Sequence, residues 1–284
     1  MPESWHLARV QGTRDQGYLR LDDDEQVRME LRWEKPAKRP EKFQKMADRM
    51  LARMEKLSQR RKAGYTVKRG VRVAAPEGKE FECFETVGQG ISYGCLMRCG
   101  TCGRTLLCRV LGSAREDLKS IAGRIFESLT DHPGDDKLDH WDVYGLAFSL
   151  PPDFTLLQTK MRTGALELLF FRKRTEIDIR RLSLAGVLLK DCTLKNFFTN
   201  YIYKDIKDFK YEAEEIPVKG HAGVGLTGPK SLRGRLISRT LGKRFVYAFA
   251  WLCDDKIFIF RMTTPQAEDP QFFDLADRVQ CHSE

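Results

Sequence analysis

The sequence has no long apolar run. Its longest such stretches, residues 185–189 and 245–252, fall well short of the roughly 20 apolar residues that a membrane-spanning helix needs. The first residues also lack the basic and apolar regions of a secretory signal. We therefore expect a soluble, cytoplasmic protein that does not associate with membranes.

Cysteine is present but is not concentrated in any one segment. Eight cysteines are spread over 284 residues, whereas small secreted domains pack theirs into a short disulfide framework. Free cysteine is among the most buried residue types, so most of these thiols are expected to be reduced and buried. A composition of 42% hydrophobic and 31% charged residues is that of a globular chain rather than a disordered one.

No complete catalytic motif is found either. Residues 88–94 have glycines like a dinucleotide-binding loop, but they lead into a predicted strand where such a loop must open a helix. Residues 223–231 are similar to a phosphate-binding loop, except that Pro229 shifts the spacing and removes an amide donor. The histidines show no paired spacing typical of metal or base catalysis. An enzyme would need a site assembled from distant segments, and we place it third among the functions that the sequence allows.

Positive charge is concentrated in one segment. Residues 35–72 contain 14 Lys and Arg against three Asp and Glu, an excess of 11, although the net charge of the whole chain is +9. The rest of the chain is thus close to neutral. A local basic surface of this kind indicates binding to an anionic partner rather than a general electrostatic effect.

The same order of elements is predicted twice along the chain. In the first half, alternating strands are followed by an amphipathic helix at residues 41–62, three more strands and a second helix. The second half repeats this order after a Pro-Gly segment at residues 131–136, which is typical of a linker. The predicted fold class is α+β, with two similar units at residues 1–132 and 138–284. Each unit is expected to be a mostly antiparallel sheet packed by two helices.

This repetition favours an internal duplication of one unit. Trp5 corresponds in order to Trp141, and Arg109 to Arg261. A curved, mostly antiparallel sheet between helices, with the elements in this order, resembles the PsbP-like and DcrB-like folds. The resemblance covers element order in both halves and includes no diagnostic sequence motif. It implies a protein that binds other proteins rather than one that catalyses a reaction.

The predicted helix at residues 41–62 has two different faces. Apolar residues between positions 43 and 57 recur at steps of three and four, which predicts a stripe that packs on the sheet. The opposite face is almost wholly basic and presents Lys42, Lys45, Arg49, Arg53, Lys56, Arg60 and Arg61. We interpret this face as the site for an acidic protein surface, which makes the chain a binding or adaptor protein. Nucleic-acid binding by the same face, and a solvated face without a partner, are the alternatives.

The most specific local motif is a Cys-x-x-Cys-Gly hairpin that contains Cys99 and Cys102. Two cysteines around a short turn are typical of a zinc knuckle, with the thiols opposite each other and Gly100 at the positive φ of a tight turn. Structural zinc takes four ligands, and Cys83 on the preceding strand is expected to supply a third. His132, His140 or a second subunit are the other sources considered.

Two alternatives to a zinc site remain for this hairpin. The pair could be free thiols at a hairpin tip, or it could be a redox dithiol. A thioredoxin-like dithiol opens a helix, whose N-terminus lowers the thiol pKa, whereas this pair lies between two predicted strands. Zinc is therefore the cofactor that the sequence suggests, if the protein binds one.

Overall fold

The computed structural model describes residues 2–282 except 3, 14, 37, 40, 61–64, 74–75, 89, 114, 133–136, 232–243 and 268. The chain forms two compact units, Met1–His132 and Pro133–Glu284. Each unit contains an antiparallel sheet of seven strands that is packed by helices. The predicted fold class, α+β with two similar units, is therefore confirmed.

In the first unit, the last strand enters the middle of the sheet. The strands are β1 (His6–Gly12), β2 (Gln16–Asp22), β3 (Val27–Glu34), β4 (Thr66–Arg69), β5 (Lys79–Val87), β6 (Ile91–Cys99) and β7 (Thr105–Gly112). Their order is β1-β2-β3-β7-β6-β5-β4, so β7 pairs with β3 on one side and with β6 on the other. Helix α1 (Phe43–Arg60) connects β3 to β4, and α2 (Leu118–Ser128) follows β7.

The alternation of side chains along the strands places α1 and α2 on opposite faces of this sheet. Leu107 of β7 and Leu96 of β6 pack against α1. Gly112, on the other face of β7, lies against Leu118 of α2. By the same alternation, Cys99 at the end of β6 belongs to the α2 face.

The second unit repeats the strand order of the first. Its sheet contains β10 (Thr155–Arg162), β11 (Ala165–Arg172), β12 (Thr175–Ser183), β13 (Glu212–Val218), β14 (His221–Pro229), β15 (Phe245–Cys253) and β16 (Lys256–Thr264). The order β10-β11-β12-β16-β15-β14-β13 matches that of the first sheet strand for strand. An additional hairpin, β8 (Asp139–Val143) and β9 (Leu146–Leu150), forms a separate two-stranded sheet.

Helices also cover both faces of the second sheet. They are α3 (Ala185–Leu188), α4 (Leu194–Tyr201), α5 (Tyr203–Ile206) and α6 (Gln271–Asp277). Phe198 of α4 packs with Ala248 of β15 on one face. Phe249, the next residue of β15, has its ring centroid 4.7 Å from that of Phe272, so α6 covers the other face, which Cys253 shares. Among the helices of the described residues, none has the length and apolar character needed to cross a membrane.

An ion pair bridges the two central strands in each unit. Glu30 of β3 lies opposite Arg109 of β7, with 3.2 Å between the charged groups. Asp178 of β12 lies opposite Arg261 of β16, at 2.8 Å. Arg180 also contacts Asp178, and all three side chains of this second group are buried. Burial alone would raise the pKa of Asp178, but the two guanidinium groups outweigh it and hold that pKa below its usual value.

Candidate functional site

One corner of the first unit brings together two cysteines, an aspartate and a histidine. Cys99 ends β6, Cys102 lies in the turn before β7, and Asp131 and His132 follow helix α2. Their ligand atoms all lie within 4.8 Å of one another. This set could hold a metal ion, because thiolate, imidazole and carboxylate are the side-chain groups that bind zinc.

The separations between these atoms suit one shared ion. Cys99 Sγ is 3.1 Å from His132 Nε2, and Cys102 Sγ is 3.4 Å from Asp131 Oδ2. The same His132 and Asp131 atoms are 3.7 Å apart. Ligands placed tetrahedrally around zinc at about 2.0–2.3 Å lie about 3.3–3.8 Å from one another. The cluster therefore has nearly the dimensions of a tetrahedral metal site.

The turn that carries Cys102 differs from the predicted one. Gly103, not Gly100, has the positive φ, of 71°. Because β6 ends at Cys99 and β7 begins six residues later, Cys102 lies within the turn and not opposite Cys99. Gly100 is required for a different reason, since a Cβ there would lie 2.9 Å from the carbonyl oxygen of Gly78. The Gly100 amide donates to that oxygen, at 3.1 Å, and this hydrogen bond holds the turn beside the start of β5.

Cys83, the third ligand predicted from the sequence, is placed outside this cluster. The residue of β5 that lies opposite Cys99 is Lys79, and four strand residues, about 13 Å, separate it from Cys83. Cys83 instead lies opposite Cys95 of β6, with 3.0 Å between the two Sγ atoms. Of the other ligands considered, His132 reaches Cys99, as described above.

The buried thiols of β5, β6 and β7 form a row in register. Cys95 of β6 lies between Cys83 and Cys108 of the neighbouring strands. The hydrogen bond with Cys83 and burial raise the pKa of Cys95. Burial also raises the pKa of Cys108 to about 12. The thiols of Cys95 and Cys108 are therefore protonated and unreactive at neutral pH.

The second unit has a cluster of the same kind at the equivalent corner. Cys253 ends β15, His221 begins β14, and Cys281 and His282 follow helix α6. His221 Nε2 is 3.4 Å from Cys281 Sγ and 3.2 Å from His282 Nε2. Both ring nitrogens of His282 are 3.5 Å from Cys253 Sγ. All four ligand atoms again lie within 4.8 Å of one another.

Lysine side chains hold the segments that follow the last helix of each unit, α2 and α6, which we call the closing helices. Lys79 Nζ donates to the carbonyl oxygen of Leu129, at 2.8 Å, beyond the end of α2. Lys219 Nζ donates to the carbonyl oxygens of Asp277 and Val279, at 2.5 and 2.7 Å, at the end of α6. Cations at these positions satisfy carbonyl groups that a helix C-terminus leaves free. They position the residues after each helix beside the strand ends.

One cysteine in each corner has a raised pKa, which disfavours its free thiolate. Burial raises the pKa of Cys102, and contacts with Cys99 and Asp131 contribute to the increase. Burial raises the pKa of Cys253 to about 11, with a further contribution from Cys281. A thiol in such surroundings becomes a thiolate at neutral pH only when it binds a cation.

The basic helix α1 is anchored to its sheet at both ends. Near its start, Arg98 Nη1 of β6 donates to the carbonyl oxygen of Glu41, at 3.0 Å. Towards its end, Ser58 Oγ donates to the carbonyl oxygen of Tyr65, at 2.6 Å, and the Tyr65 hydroxyl donates to that of Met54, at 3.1 Å. The helix therefore presents its outer face in a fixed orientation.

The outer face of α1 carries its basic residues in one line. Around the helix axis, the cations at positions 45, 49, 53 and 56 lie within about 80° of one another, over a length of about 16 Å. Position 42 continues the line just before the helix. We call this set the cationic ridge; its members, all exposed, are Lys42, Lys45, Arg49, Arg53 and Lys56.

The acidic residues of this segment are paired with other groups. Asp48 and Glu55 both contact Arg69 of β4, at 3.3 and 3.1 Å. Glu41 contacts Arg49, at 2.6 Å. The other four members of the ridge have no ion-pair partner among the residues that the structure describes. The ridge therefore keeps most of its positive charge uncompensated.

Two residues of the predicted basic face, Arg60 and Arg61, are not included in the cationic ridge. Arg60 ends α1, but its side chain is outside the described part of the structure. Arg61 lies outside the described residues altogether. The ridge is therefore defined by the five members named above.

Comparison with known proteins gives distant structural likenesses. No family model matches the chain, and no curated protein matches it. The Ran-binding protein Mog1p of Saccharomyces cerevisiae is 13% identical over 46% of this chain and 78% of its own, with a TM-score of 0.32. CyanoP, the PsbP protein of Synechocystis, is 16% identical over 52% of this chain and 95% of its own, with a TM-score of 0.35.

A third solved structure is similar along nearly the whole chain. The immunity protein TplEi of Pseudomonas aeruginosa, solved in complex with a peptide, is 9% identical over 98% of both chains, with a TM-score of 0.35. The PsbP-like resemblance predicted from element order thus has a counterpart among solved structures, as a weak likeness of fold. The DcrB-like resemblance stays a prediction. Likeness of fold does not assign function, which rests on the residues of this chain.

Proposed function

We propose that this chain is a non-enzymatic binding protein whose cationic ridge docks an acidic segment of a partner protein. The observation that carries the proposal is the ridge itself, in which exposed cations form one line while the neighbouring acidic residues pair with other groups. Successive cations three or four positions apart on a helix are about 5–6 Å apart. Carboxylates at the same spacing on a partner helix can meet them one by one.

The aromatic residues around the ridge favour a protein over a single-stranded nucleic acid. Single-strand binding surfaces place exposed aromatic rings where bases can stack on them. Phe43 of α1 is only 7% exposed and packs into the core. Tyr65 is half-buried, and its hydroxyl group is bonded to the backbone of α1. The ridge therefore offers charge without a stacking surface.

Reversing the charge of the ridge tests this proposal. We expect the triple variant Lys45→Glu/Arg53→Glu/Lys56→Glu to bind a fluorescently labelled polyglutamate peptide about 10-fold more weakly, because three exposed contacts of about 0.2–1 kcal/mol each together contribute about 0.6–3 kcal/mol. Fluorescence anisotropy measures the affinity. The thermal unfolding temperature should stay close to that of the wild type, since these side chains are exposed and pair with no described residue.

A variant with the same change in net charge serves as the control. Lys190, Lys204 and Lys207 are exposed lysines of the second unit, and their replacement by Glu should leave peptide affinity unchanged. Equal weakening in the two triple variants would show a general charge effect and would contradict the proposal. Tighter binding of duplex DNA than of the peptide at about 0.15 M salt, lost in the ridge variant, would favour nucleic acid instead.

We also propose that zinc is the ion bound by Cys99, Cys102, Asp131 and His132. Thiolate and imidazole ligands together favour zinc over magnesium or calcium, which prefer oxygen ligands. Four protein ligands make a closed site, whereas catalytic zinc keeps one position open for water or substrate. A closed site supports a structural role and agrees with a binding protein.

Metal content tests the identity of this ion. Protein purified without a histidine tag and without chelators is expected to contain zinc, and Cys99→Ser/Cys102→Ser should contain one zinc ion fewer per chain. Elemental analysis by mass spectrometry gives the count. An unchanged zinc content in that variant would contradict the assignment.

A further inference from the structure

We propose that His221, Cys253, Cys281 and His282 form a second zinc centre, which ties the segment after α6 to the second sheet. This centre shares no ligand with that of the first unit, and neither depends on the other. It is also independent of the cationic ridge, which lies on a different element of the fold.

Three of its ligands occupy the positions that ligands occupy in the first unit. Cys253 ends β15 on the face covered by α6, just as Cys99 ends β6 on the face covered by α2. His282 follows the closing helix as His132 does. Cys281, directly before His282, stands where the first unit has its aspartate.

The fourth ligand comes from a different element in each unit. In the first unit, Lys79 lies opposite Cys99, and the longer turn after β6 supplies Cys102 instead. In the second unit, the turn after β15 has only two residues and no cysteine. Gly223 of β14 lies opposite Trp251 of β15. The same register, continued by two residues, brings His221 opposite Cys253. Each corner therefore contains four ligands, although only three positions correspond.

The dimensions and the charge of the second cluster suit zinc. The separations between sulfur and nitrogen atoms, 3.4 and 3.5 Å, fall within the edges of about 3.3–3.8 Å expected around tetrahedral zinc. The two imidazole nitrogens, 3.2 Å apart, are close to the short end of that range. Two thiolates balance the charge of Zn²⁺, and two neutral imidazoles complete the shell. A neutral centre suits this corner, because Cys253 is only 2% exposed.

Counting zinc in a matched set of full-length variants tests the second centre. We expect two zinc ions per chain in the wild type and one in Cys253→Ser/Cys281→Ser. Cys99→Ser/Cys102→Ser should also retain one, and the variant with all four changes should retain none. Cys192, an exposed cysteine of neither cluster, provides the control, and Cys192→Ser should retain both ions.

These counts separate failure of one centre from failure of the other. A Cys253→Ser/Cys281→Ser variant with as much zinc as the wild type would overturn the second centre and leave the first intact. A disulfide between Cys253 and Cys281 in the native protein, detected by mass spectrometry, would also overturn it. If the double variant fails to fold, Co²⁺ loaded into the wild type decides. Thiolate-to-cobalt absorption that corresponds to two ions per chain supports the proposal. Absorption that corresponds to one ion, and that disappears in Cys99→Ser/Cys102→Ser, contradicts it.

A local structural readout accompanies the metal count. The amide of Gln280 donates to the carbonyl oxygen of Ala147, at 2.8 Å, just before the two C-terminal ligands. Chelation of the metal from the wild type is expected to speed hydrogen exchange at residues 278–282, because the segment loses its link to the sheet. The same treatment of Cys253→Ser/Cys281→Ser should change exchange there very little. Exchange in this segment that is indifferent to chelator in the wild type would contradict the proposed link.

Discussion

Replacing Asp178 by alanine is expected to destabilise the second unit by about 3–5 kcal/mol, because it leaves buried guanidinium groups without their carboxylate. Among the residues that the structure describes, Arg261 would keep only the hydroxyl oxygen of Thr263, at 3.2 Å. Arg180 would keep the carboxylate of Asp205, at 2.6 Å. Urea unfolding followed by hydrogen exchange in peptides from β12 and β16 measures the loss, since two units do not unfold as a single two-state system.

The corresponding residue of the first unit is the matched control. Glu30 also pairs across the two central strands, but its side chain and that of Arg109 are 25% and 29% exposed. Glu30→Ala is therefore expected to cost about 1 kcal/mol or less. A loss for Asp178→Ala as small as that for Glu30→Ala would show that burial adds little to the second pair.

The same carboxylate makes the stability of the second unit depend on pH. The pKa of Asp178 is lower in the folded protein than in the unfolded chain, where it is about 3.9. Ionised Asp178 therefore contributes its full stabilisation at pH values well above about 4. That stabilisation is lost as the pH falls below about 4 and through the pKa that Asp178 has in the folded protein. Asp178→Asn should be less stable than the wild type at neutral pH, and the difference should narrow below pH of about 4. A difference that is constant with pH would contradict this account.

Gly94→Val is expected to destabilise the first unit by about 1–3 kcal/mol or more, because it overfills a packed site. A Cβ at Gly94 would overlap the ring of Phe84, which lies opposite it on β5. Phe84 has no exposed surface, so any shift of its ring away from the new side chain would disturb the surrounding core. Urea unfolding followed by hydrogen exchange in peptides from β5 and β6 measures the loss, because tryptophans lie in both units and their fluorescence would mix the two.

A double-mutant cycle checks that the overlap is the cause. Gly94→Ala should cost clearly less in a Phe84→Ala background than in the wild type, because the smaller side chain leaves room for the new methyl group. Gly70, where an added Cβ meets nothing within 4 Å, is not a suitable control, because its φ of 64° would itself strain alanine. Equal costs of Gly94→Ala in both backgrounds would show that backbone conformation, not the ring, sets the effect.

Elements with a strong local signal were predictable from the sequence. The apolar stripe of α1 has the helical period, and the predicted helix covers the observed one. Local helix propensity and packing against the sheet both favour a helix in this segment. The capping pattern of Ser113 and Glu116 predicts that α2 starts at Ser113, but the helix starts at Leu118. Ser113 and Glu116 do bond to each other, but Glu116 is held by Arg28, and Asp117 caps the helix instead. A local capping pattern could not reveal the competing partner, which lies far away in the chain.

The predicted element order has three strands before the last helix of each unit, whereas the structure has four, and in the second unit β13 was the strand missed. It lies at the edge of its sheet and contains Pro217 and three glutamates, features that weaken a strand signal in sequence. An edge strand tolerates both, because one side of it makes no ladder bonds. Its place in the fold is set by the hairpin that pairs it with β14 across residues 219 and 220.

The candidate site was predictable only where its residues are close in sequence. Cys99 and Cys102 belong to one motif, but Asp131 and the whole second cluster come from separate elements. A short signal was present: each predicted closing helix is followed by a dipeptide of two ligand types, Asp131-His132 and Cys281-His282. The two dipeptides could be recognised as ligands only from the fold, in which the chain after each closing helix lies beside the end of β6 or of β15.

The central place of β7 and β16 has a consequence for synthesis on the ribosome. Until its final strand emerges, each unit has two separate three-stranded pieces, with open edges at β3 and β6 in the first unit and at β12 and β15 in the second. Such edges readily pair with other chains, so the nascent protein is most prone to aggregate just before each unit closes. Folding of either half is thus delayed to the end of its own translation, and a premature stop shortly before β16 would be far more damaging than its small loss of length suggests.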